Sequence, residues 1–329
     1  MQATQMNTTA TVVETREIAK GIRLLRFATA GDPISVEAGA HVTFALPHDG
    51  QLIHRSYSVV DDGQRPDMLT VAVKLEPASK GGSAAMWRLS VGDQIQLTGN
   101  DNSMPVSYGA QTYVVVAGGI GITPMTGVAR TLRKTGKSVT MHYCARAPEE
   151  ATFVDLMQDL LGDDLTLHYA SEGATLDVKA LVAALDRATI LYMCGPMGLT
   201  EAIKSAWAEH GLPSQNLRYE TFGNSGTRPT RPFTVHVEES ARTVEVGAGQ
   251  TLLDALLESG HQVLSDCRKG ECGLCKVVVN AADAEIDHRD VFLSDRERAA
   301  ADCLCSCVSR LPGGHMTIRI DGIPHGRSD

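Results

Sequence analysis

The residues with the most chemistry in this chain are its cysteines. Three stand in Cys267-Arg-Lys-Gly-Glu-Cys272-Gly-Leu-Cys275, and another, Cys307, follows in Ser-Cys-Val-Ser-Arg. C-x4-C-x2-C with a remote fourth cysteine is the ligand spacing of a plant-type [2Fe–2S] cluster. A compact loop of this kind must aim several thiolates inward. Gly270 and Gly273 lie where its backbone has to turn tightly and bring N–H groups near the sulfurs. Such a cluster moves one electron at a time, so the spacing points to electron transfer. The competing use of four cysteines, structural zinc in a non-enzymatic module, ordinarily takes two close CxxC pairs. Cys303 and Cys305 precede Cys307 at two-residue intervals. In an extended segment all three point to one face, so periodicity does not choose among them.

Three other stretches carry residues suited to a nucleotide or a flat cofactor. Gly118-Gly-Ile-Gly-Ile-Thr-Pro124 follows a continuous apolar run, Tyr113-Val-Val-Val-Ala117, and precedes a helical pattern. Glycines there let a pyrophosphate approach the backbone, and the helix start stabilises its charge. Cys194-Gly-Pro-Met197 ends a later strand-like run, in the crevice where open α/β sheets bind ligands. In Arg55-Ser-Tyr-Ser58 an arginine can pair with phosphate, a ring can cover a cofactor, and hydroxyls can bond its polar edge. Lys80-Gly-Gly-Ser83 offers further phosphate donors.

The elements around these motifs fall into three groups. Arg23–Phe27, His41–Ala45 and Leu69–Val73 are short strand-like runs with Gly/Asp/Pro punctuation, which predicts a small antiparallel β-barrel. From Tyr113 the pattern alternates. Strands at Ser138–Tyr143, Leu165–Tyr169 and Thr189–Met193 are separated by helical stretches near residues 125–134, 153–161, 178–185 and 199–210. That alternation predicts a doubly wound α/β domain. Asn224-Ser-Gly-Thr-Arg-Pro-Thr-Arg-Pro232 reads as a linker. Beyond it, the hairpin pattern of Phe233–Val237 and Arg242–Val246, a helix at Thr251–Glu258 and a strand at Met316–Ile320 predict an α+β domain around the cysteines. The resulting division is a β-barrel over 1–109, an α/β domain over 110–224, a linker over 225–232 and a ferredoxin-type α+β domain over 233–329.

Composition narrows the function classes. The 329 residues suffice for two or three cores, and 43% hydrophobic with 21% charged residues is ordinary for a globular protein. A formal charge of −9 argues against nucleic-acid binding. Residues 233–329 hold 16 acidic against 10 basic side chains, an acidic surface able to steer a basic redox partner. No apolar run approaches a membrane span, and the polar start of the chain shows no targeting pattern. The expectation is a cytoplasmic monomer whose eight cysteines are ligands or buried thiols rather than disulfides.

Taken in order, Arg-x-Tyr-Ser, GGIGITP, CGPM and C-x4-C-x2-C…C closely resemble the phthalate dioxygenase reductase and vanillate demethylase reductase family, over about residues 10–323. The resemblance implies an FMN-binding barrel, an NADH-binding α/β domain and a C-terminal ferredoxin domain. FMN rather than FAD is implied by the C-terminal position of that last domain. Carried over residue by residue, Arg55, Ser56, Tyr57 and Ser58 hold the flavin, and Gly82 and Ser83, with Lys80 or Gly81 nearby, bind its phosphate. The backbone at Ala72, Val73 and Lys74 lines the flavin ring. Gly119, Gly121 and Thr123 face the NADH pyrophosphate, and Cys194, Gly195, Pro196 and Met197 border the nicotinamide. Glu220 and Phe222 lie near the flavin. Ser58, Cys194 and Glu220 are the candidates for orienting the reacting atoms. Cys267, Cys272, Cys275 and Cys307 are the implied cluster ligands. The implied activity is that of an NADH-dependent reductase feeding a terminal Rieske-type oxygenase. A reductase serving a different acceptor is the alternative.

Overall fold

The computed structural model describes residues 4–31, 34–48, 51–63, 68–76, 81–222, 230–265, 268, 270, 272–290 and 292–320. Lys80, Cys267 and positions 225–229 of the expected linker lie outside the described residues. The chain forms two compact units, 1–220 and 221–329.

The first unit carries two sheets. One contains β1 (Thr4–Ala19), β2 (Ile22–Thr29), β3 (His41–His48), β4 (Gln51–Ser58), β5 (Leu69–Lys74) and β6 (Gln94–Asp101), in the order β4-β3-β6-β1-β2-β5. The two outer strands meet at the bridge Val59↔Val71 and through Val60 N–H to Thr70 O, 2.9 Å, which closes the sheet into the expected antiparallel barrel. The 16-residue β1 serves both β2 and β6 because bulges at Val12/Glu14 and Glu17/Ala19 let it curl. Alternate positions of these strands, among them Leu25, Phe27, Phe44 and Leu97, fill the barrel. A short helix, α1 (Gly82–Arg88), plugs one end with Ala85 and Met86.

The second sheet is wholly parallel and has the order β11-β10-β7-β8-β9. Its strands are β7 (Thr112–Gly118), β8 (Ser138–Ala145), β9 (Leu165–Tyr169), β10 (Ile190–Cys194) and β11 (Leu217–Glu220). Between them run α2 (Ile122–Lys134), α3 (Val154–Leu161), α4 (Val178–Ala183) and α5 (Met197–Glu209). Both β7 and β10 are almost entirely buried, as their unbroken apolar sequences require. The chain enters at β7, winds outward to β9, then crosses back to β10. The topological switch therefore falls between β7 and β10, where ligands of such sheets bind. Barrel and sheet are joined within this unit. Asp61 donates its N–H to Thr126 Oγ1 (3.1 Å), Lys20 N–H reaches Glu149 O (2.8 Å), and Arg130 Nε lies 3.4 Å from Asp61 Oδ1.

The second unit is a mixed sheet of β12 (Phe233–Val237), β13 (Arg242–Val246), β14 (Lys276–Ala282), β15 (Cys303–Cys305) and β16 (Gly314–Arg319), in the order β13-β12-β16-β14-β15. Helix α6 (Leu252–Glu258), capped by Thr251, packs Leu252, Leu253 and Leu256 on it, and α7 (Asp295–Ala300) starts on a Ser294/Glu297 capping box. The structure separates the three cysteines that periodicity left equivalent. Cys303 to Cys307 is not one extended run, because β15 ends at Cys305. Ser306 still reaches the neighbouring strand, donating its N–H (3.0 Å) and its hydroxyl (2.9 Å) to Cys275 O, and the chain then turns as Cys305 O accepts the N–H groups of Val308 (3.2 Å) and Ser309 (2.9 Å), which sets Cys307 off the strand.

Candidate functional site

The barrel end of β4 gathers the first group of candidates. Gly81, at φ 87°, starts α1 beside Arg55, and a Cβ on Gly82 would sit 2.8 Å from Arg55 Cγ. The two motifs 55–58 and 81–83 thus meet although 22 residues of sequence separate their inner ends. Ser83 is buried and accepts a hydrogen bond from Glu76 N–H at 3.1 Å. Burial raises the Tyr57 phenol above its ordinary range, partly offset by the nearby Arg55 charge. Ser56 is exposed, and its hydroxyl shares a hydrogen bond with Thr43 Oγ1 at 2.8 Å. Ser58 is buried at 5% exposure, and its Oγ has no hydrogen-bond partner among the described residues. A buried hydroxyl of that kind costs about 1–3 kcal/mol unless something completes it. It therefore suits the polar edge of a flat ligand. On β5, Ala72 packs with Ile22 and Val60, beside Ile120 and Phe153 of the α/β layer. Val73 turns into the barrel core, and its carbonyl accepts Trp87 Nε1 at 2.9 Å. Lys74 Nζ lies 3.9 Å from Glu150.

Sequence reasoning missed His41. Cross-strand register sets it opposite Ser58, and its Nδ1 lies 3.4 Å from Glu220 Oε1, both side chains being buried. Glu220 in turn is the register partner of Cys194 on β10, which pairs with Ala117 on β7. Ser58, His41, Glu220 and Cys194 thus form a chain of neighbours from the barrel to the switch point of the parallel sheet. The three proposed orienting residues come together through a fourth that no local pattern marks. Phe222 lies past the end of the first unit and is 44% exposed.

At the switch point the glycines divide into two kinds. A Cβ on Gly121 would stand 2.1 Å from Cys194 O and 2.9 Å from Gly195 N, and one on Gly118 would stand 2.5 Å from Pro196 Cδ. These two, with Gly195, exist so that the two loops can touch backbone to backbone. Gly119 differs: its φ is +54° and nothing lies within 4 Å of its Cβ position, so its open side is free for a ligand. The Thr123 hydroxyl is buried and donates to Ile120 O at 2.9 Å, so the side chain is spent within its own turn. Pro196 is the N-cap of α5, and Met197, half-buried, begins that helix.

In the second unit Cys275 Sγ and Cys307 Sγ stand 3.0 Å apart, both buried, and Cys272 is partly exposed. Hydrogen bonds from the Cys305 and Cys307 thiols lower the Cys275 thiol, while the hydrogen bond to Cys275 and burial raise Cys305. Packed soft sulfur donors of this kind fit iron. Among the described residues no three ligand-type side chains converge on one point. Cys267 is not among them.

The frame of this loop was also invisible in the sequence. Ser309 Oγ donates to buried Asp290 Oδ1 at 2.9 Å, and Asp290 Oδ2 accepts Leu293 N–H at 2.8 Å. Arg310 is 3% exposed and spends its guanidinium on the carbonyls of Arg231 (2.7 Å), Ala248 (3.0 Å) and Gly247 (3.3 Å), over the Phe233 ring. Ser309 and Arg310 are thus the bracket of Cys-Val-Ser-Arg. Gly270 and Gly273 hold φ of +78° and +72°; a Cβ would strike Val308 and Asp290 at the first and the Phe292 ring at the second.

A closed barrel, a parallel sheet with a glycine-built switch point and a cysteine loop on a mixed sheet define a flavin- and iron–sulfur-containing oxidoreductase. Residues 9–104 match the oxidoreductase FAD-binding domain family, and residues 235–312 match the 2Fe-2S iron-sulfur cluster binding domain family. The chain is 37% identical over 285 residues to the phenoxybenzoate dioxygenase subunit beta of Ectopseudomonas oleovorans, covering 86% of this chain and 87% of that protein. It is 34% identical over 301 residues to the heme-dependent oxidative N-demethylase beta subunit of Ectopseudomonas mendocina, covering 91% and 94%. A solved phthalate dioxygenase reductase, described as a modular structure for electron transfer from pyridine nucleotides to [2Fe-2S], superposes with a TM-score of 0.77 at 30% identity, over 95% of this chain and 98% of that one. The chain belongs to the phthalate dioxygenase reductase family. Among the described residues no helix is long and apolar enough to cross a membrane.

Proposed function

We propose that this chain is the NADH-dependent reductase component of a Rieske-type oxygenase system, working as a cytoplasmic monomer. The observation that carries the reading is the row Ser58–His41–Glu220–Cys194, which joins the flavin cleft of the barrel to the switch point of the parallel sheet. A flavin bound there supplies the conversion between paired and single electrons. Arg55, Ser56, Tyr57 and Ser58 hold it, with the backbone of Ala72, Val73 and Lys74 against its ring, and Lys80, Gly81, Gly82 and Ser83 take its phosphate. Ser58 donates its unspent hydroxyl proton to the ring edge. His41 fixes the Glu220 carboxylate, and Glu220 and Cys194 shape the nicotinamide side of the crevice with Gly195, Pro196 and Met197. Gly119, Gly121 and Thr123 form the pyrophosphate turn, while Phe222 begins the return toward the flavin. Cys267, Cys272, Cys275 and Cys307 hold the [2Fe–2S] cluster, and the acid-rich segment 233–329 meets the oxygenase.

The flavin is FMN, on the resemblance to phthalate dioxygenase reductase, although the barrel's family model bears the name of FAD. The domain boundaries are 1–109, 110–224 and 233–329, with 225–232 as linker. The nucleotide is NADH. Glu172 follows β9 and offers a carboxylate rather than a cation, while Arg146 lies 3.9 Å from Glu150. A second reading, a haem-containing acceptor in place of a Rieske centre, is supported by the similarity to a heme-dependent N-demethylase subunit.

A visible spectrum tests the core of the proposal. Flavin and iron–sulfur bands bleached by NADH are expected, with FMN as the flavin released on denaturation. A colourless, zinc-loaded protein refutes it, and equal or better kcat/KM with NADPH refutes the nucleotide assignment.

A further inference from the structure

The parallel sheet has a second opening, at the edge opposite Gly119 and Cys194. There a cleft of about 340 Å³ is bounded by the residues that enter β7, β10 and β11: Ser107, Ala110, Ala188, Ile190, Asn216 and Arg218 among them. Its walls are pinned. Tyr192 OH accepts Ser107 N–H (2.6 Å) and donates to Pro105 O (3.2 Å), while Tyr113 OH accepts Ala110 N–H (3.1 Å) and donates to Ser107 O (2.8 Å). On the facing side, Asp186 holds the N–H groups of Ala188 and Thr189 at 2.8 Å, and Asn216 Nδ2 donates to Arg187 O at 3.0 Å. Two stacked tyrosines, 6.4 Å between centroids, stiffen the floor.

Arg218 is the exception in this tied-down setting. Its side chain is half-buried, its Nε is shielded from solvent without a hydrogen-bond partner, and it forms no ion pair among the described residues. No carboxylate lines the cleft among the described residues, and Asp186 beside Ala188 accepts three hydrogen bonds from Ala188 and Thr189. An arginine Nε shielded from water and left without an acceptor is a costly arrangement that an anion would relieve. Ile190, Ala110 and Ala188 supply an apolar side to the same cleft. A planar cation beside an apolar wall, in a space of ligand size, matches a carboxylate with a compact hydrocarbon body.

We propose that this cleft is a binding site for a small organic carboxylate, held by Arg218 and separate from the cofactor crevice. It lies at the entering ends of the strands, whereas the nucleotide turn lies at their exit ends, so the two sites do not overlap and can be filled together. The coupling route is short. Arg218 and Glu220 are two residues apart on β11, opposite Tyr192 and Cys194. An anion on Arg218 therefore changes the field one row below the Glu220–Cys194 pair.

The test is calorimetric titration of the purified holoprotein, oxidised and without NADH, using benzoate as probe and inorganic phosphate as comparison. This readout is independent of the proposed electron transfer. Saturable one-to-one benzoate binding is expected, weakened about tenfold or more in Arg218→Gln, as for loss of a charged hydrogen bond. Filling the cleft with Ala188→Trp, a surface change that leaves the guanidinium in place, should abolish binding as well. Arg187→Gln, whose guanidinium donates to Gly211 O outside the cleft, should bind as the parent does. The proposal is overturned by absent saturation, by equal affinity in Arg218→Gln and Ala188→Trp, by displacement of benzoate on adding NADH, or by phosphate binding as tightly as benzoate.

Discussion

Replacing Gly121 by alanine and, separately, Gly119 by alanine distinguishes two uses of glycine that the sequence writes identically. The new methyl of Gly121→Ala would lie 2.1 Å from Cys194 O and 2.5 Å from Cys194 C. Carbon–carbon contacts relax at about 3.5–4.0 Å, so the two backbones must part by roughly an ångström. Cys194 cannot retreat easily, since it is paired on both sides, with Ala117 and with Glu220. Overpacking costs about 1–3 kcal/mol, and a clash with doubly paired backbone belongs at the upper end. At roughly 2–4 °C per kcal/mol for a unit of this size, melting should fall by about 6–12 °C. Gly119→Ala meets nothing within 4 Å and suffers only the left-handed φ of +54°, about 1–2 kcal/mol. Its methyl instead fills the open side assigned to the pyrophosphate. NADH KM should therefore rise about tenfold with the flavin retained, a loss the size of one charged hydrogen bond. Thermal melts followed by flavin fluorescence, with stopped-flow reduction by NADH, measure both. A Gly121→Ala protein that melts with the parent, or a Gly119→Ala protein with unchanged KM, refutes the reasoning.

Cys307→Ser should lose the cluster or hold a labile one while flavin reduction by NADH persists, and Cys303→Ser should keep full iron and sulfide; the opposite pattern of metal content overturns the ligand assignment. A chain ending near residue 226 should bind FMN and reduce ferricyanide with NADH yet fail with cytochrome c, because residues 1–220 form their own unit; an insoluble or flavin-free product refutes that independence. His142 Nδ1 and His168 Nε2 stand 3.1 Å apart, and burial lowers both imidazoles, His142 further through its charged neighbour. A lowered folded pKa means that the unfolded chain binds protons first, so stability is complete above the ordinary value of 6.5 and is lost as pH falls below it. Denaturant melts from about pH 7 to about pH 5 should show this loss in the parent and less of it in His142→Gln/His168→Gln; equal slopes refute it.

The local patterns were legible. The apolar run of β7, the alternation of β12 and β13, and the spacing of Cys267, Cys272 and Cys275 each follow from a period or a short motif. What the sequence concealed was pairing. His41 faces Ser58 only because β3 and β4 adopt one register, and it meets Glu220 only because the barrel packs on the parallel sheet. Gly118, Gly119 and Gly121 look alike in a string, yet their neighbours on β10 decide which is a spacer and which is open. Ser309 and Arg310 read as a motif, but their partners Asp290 and Arg231 lie 19 and 79 residues away. The even spacing of Cys303, Cys305 and Cys307 could not tell them apart, because the turn in which Cys305 O accepts from Val308 and Ser309 N–H is written in no period.

The polar bracket around the cysteine loop has a consequence for how the protein is made. Asp290, Ser309 and Arg310 each find hydrogen-bond partners in other groups of the polypeptide. The loop frame can therefore take shape before any iron arrives, and metal loading becomes a late, separable event in the maturation of the chain. The interval carries a hazard. Cys275 and Cys307 stand 3.0 Å apart, about 1 Å from bonding distance. Dioxygen that takes two electrons and two protons from that pair leaves as hydrogen peroxide and closes a disulfide where iron belongs. For this fold the race during biosynthesis is less between folding and aggregation than between iron delivery and air.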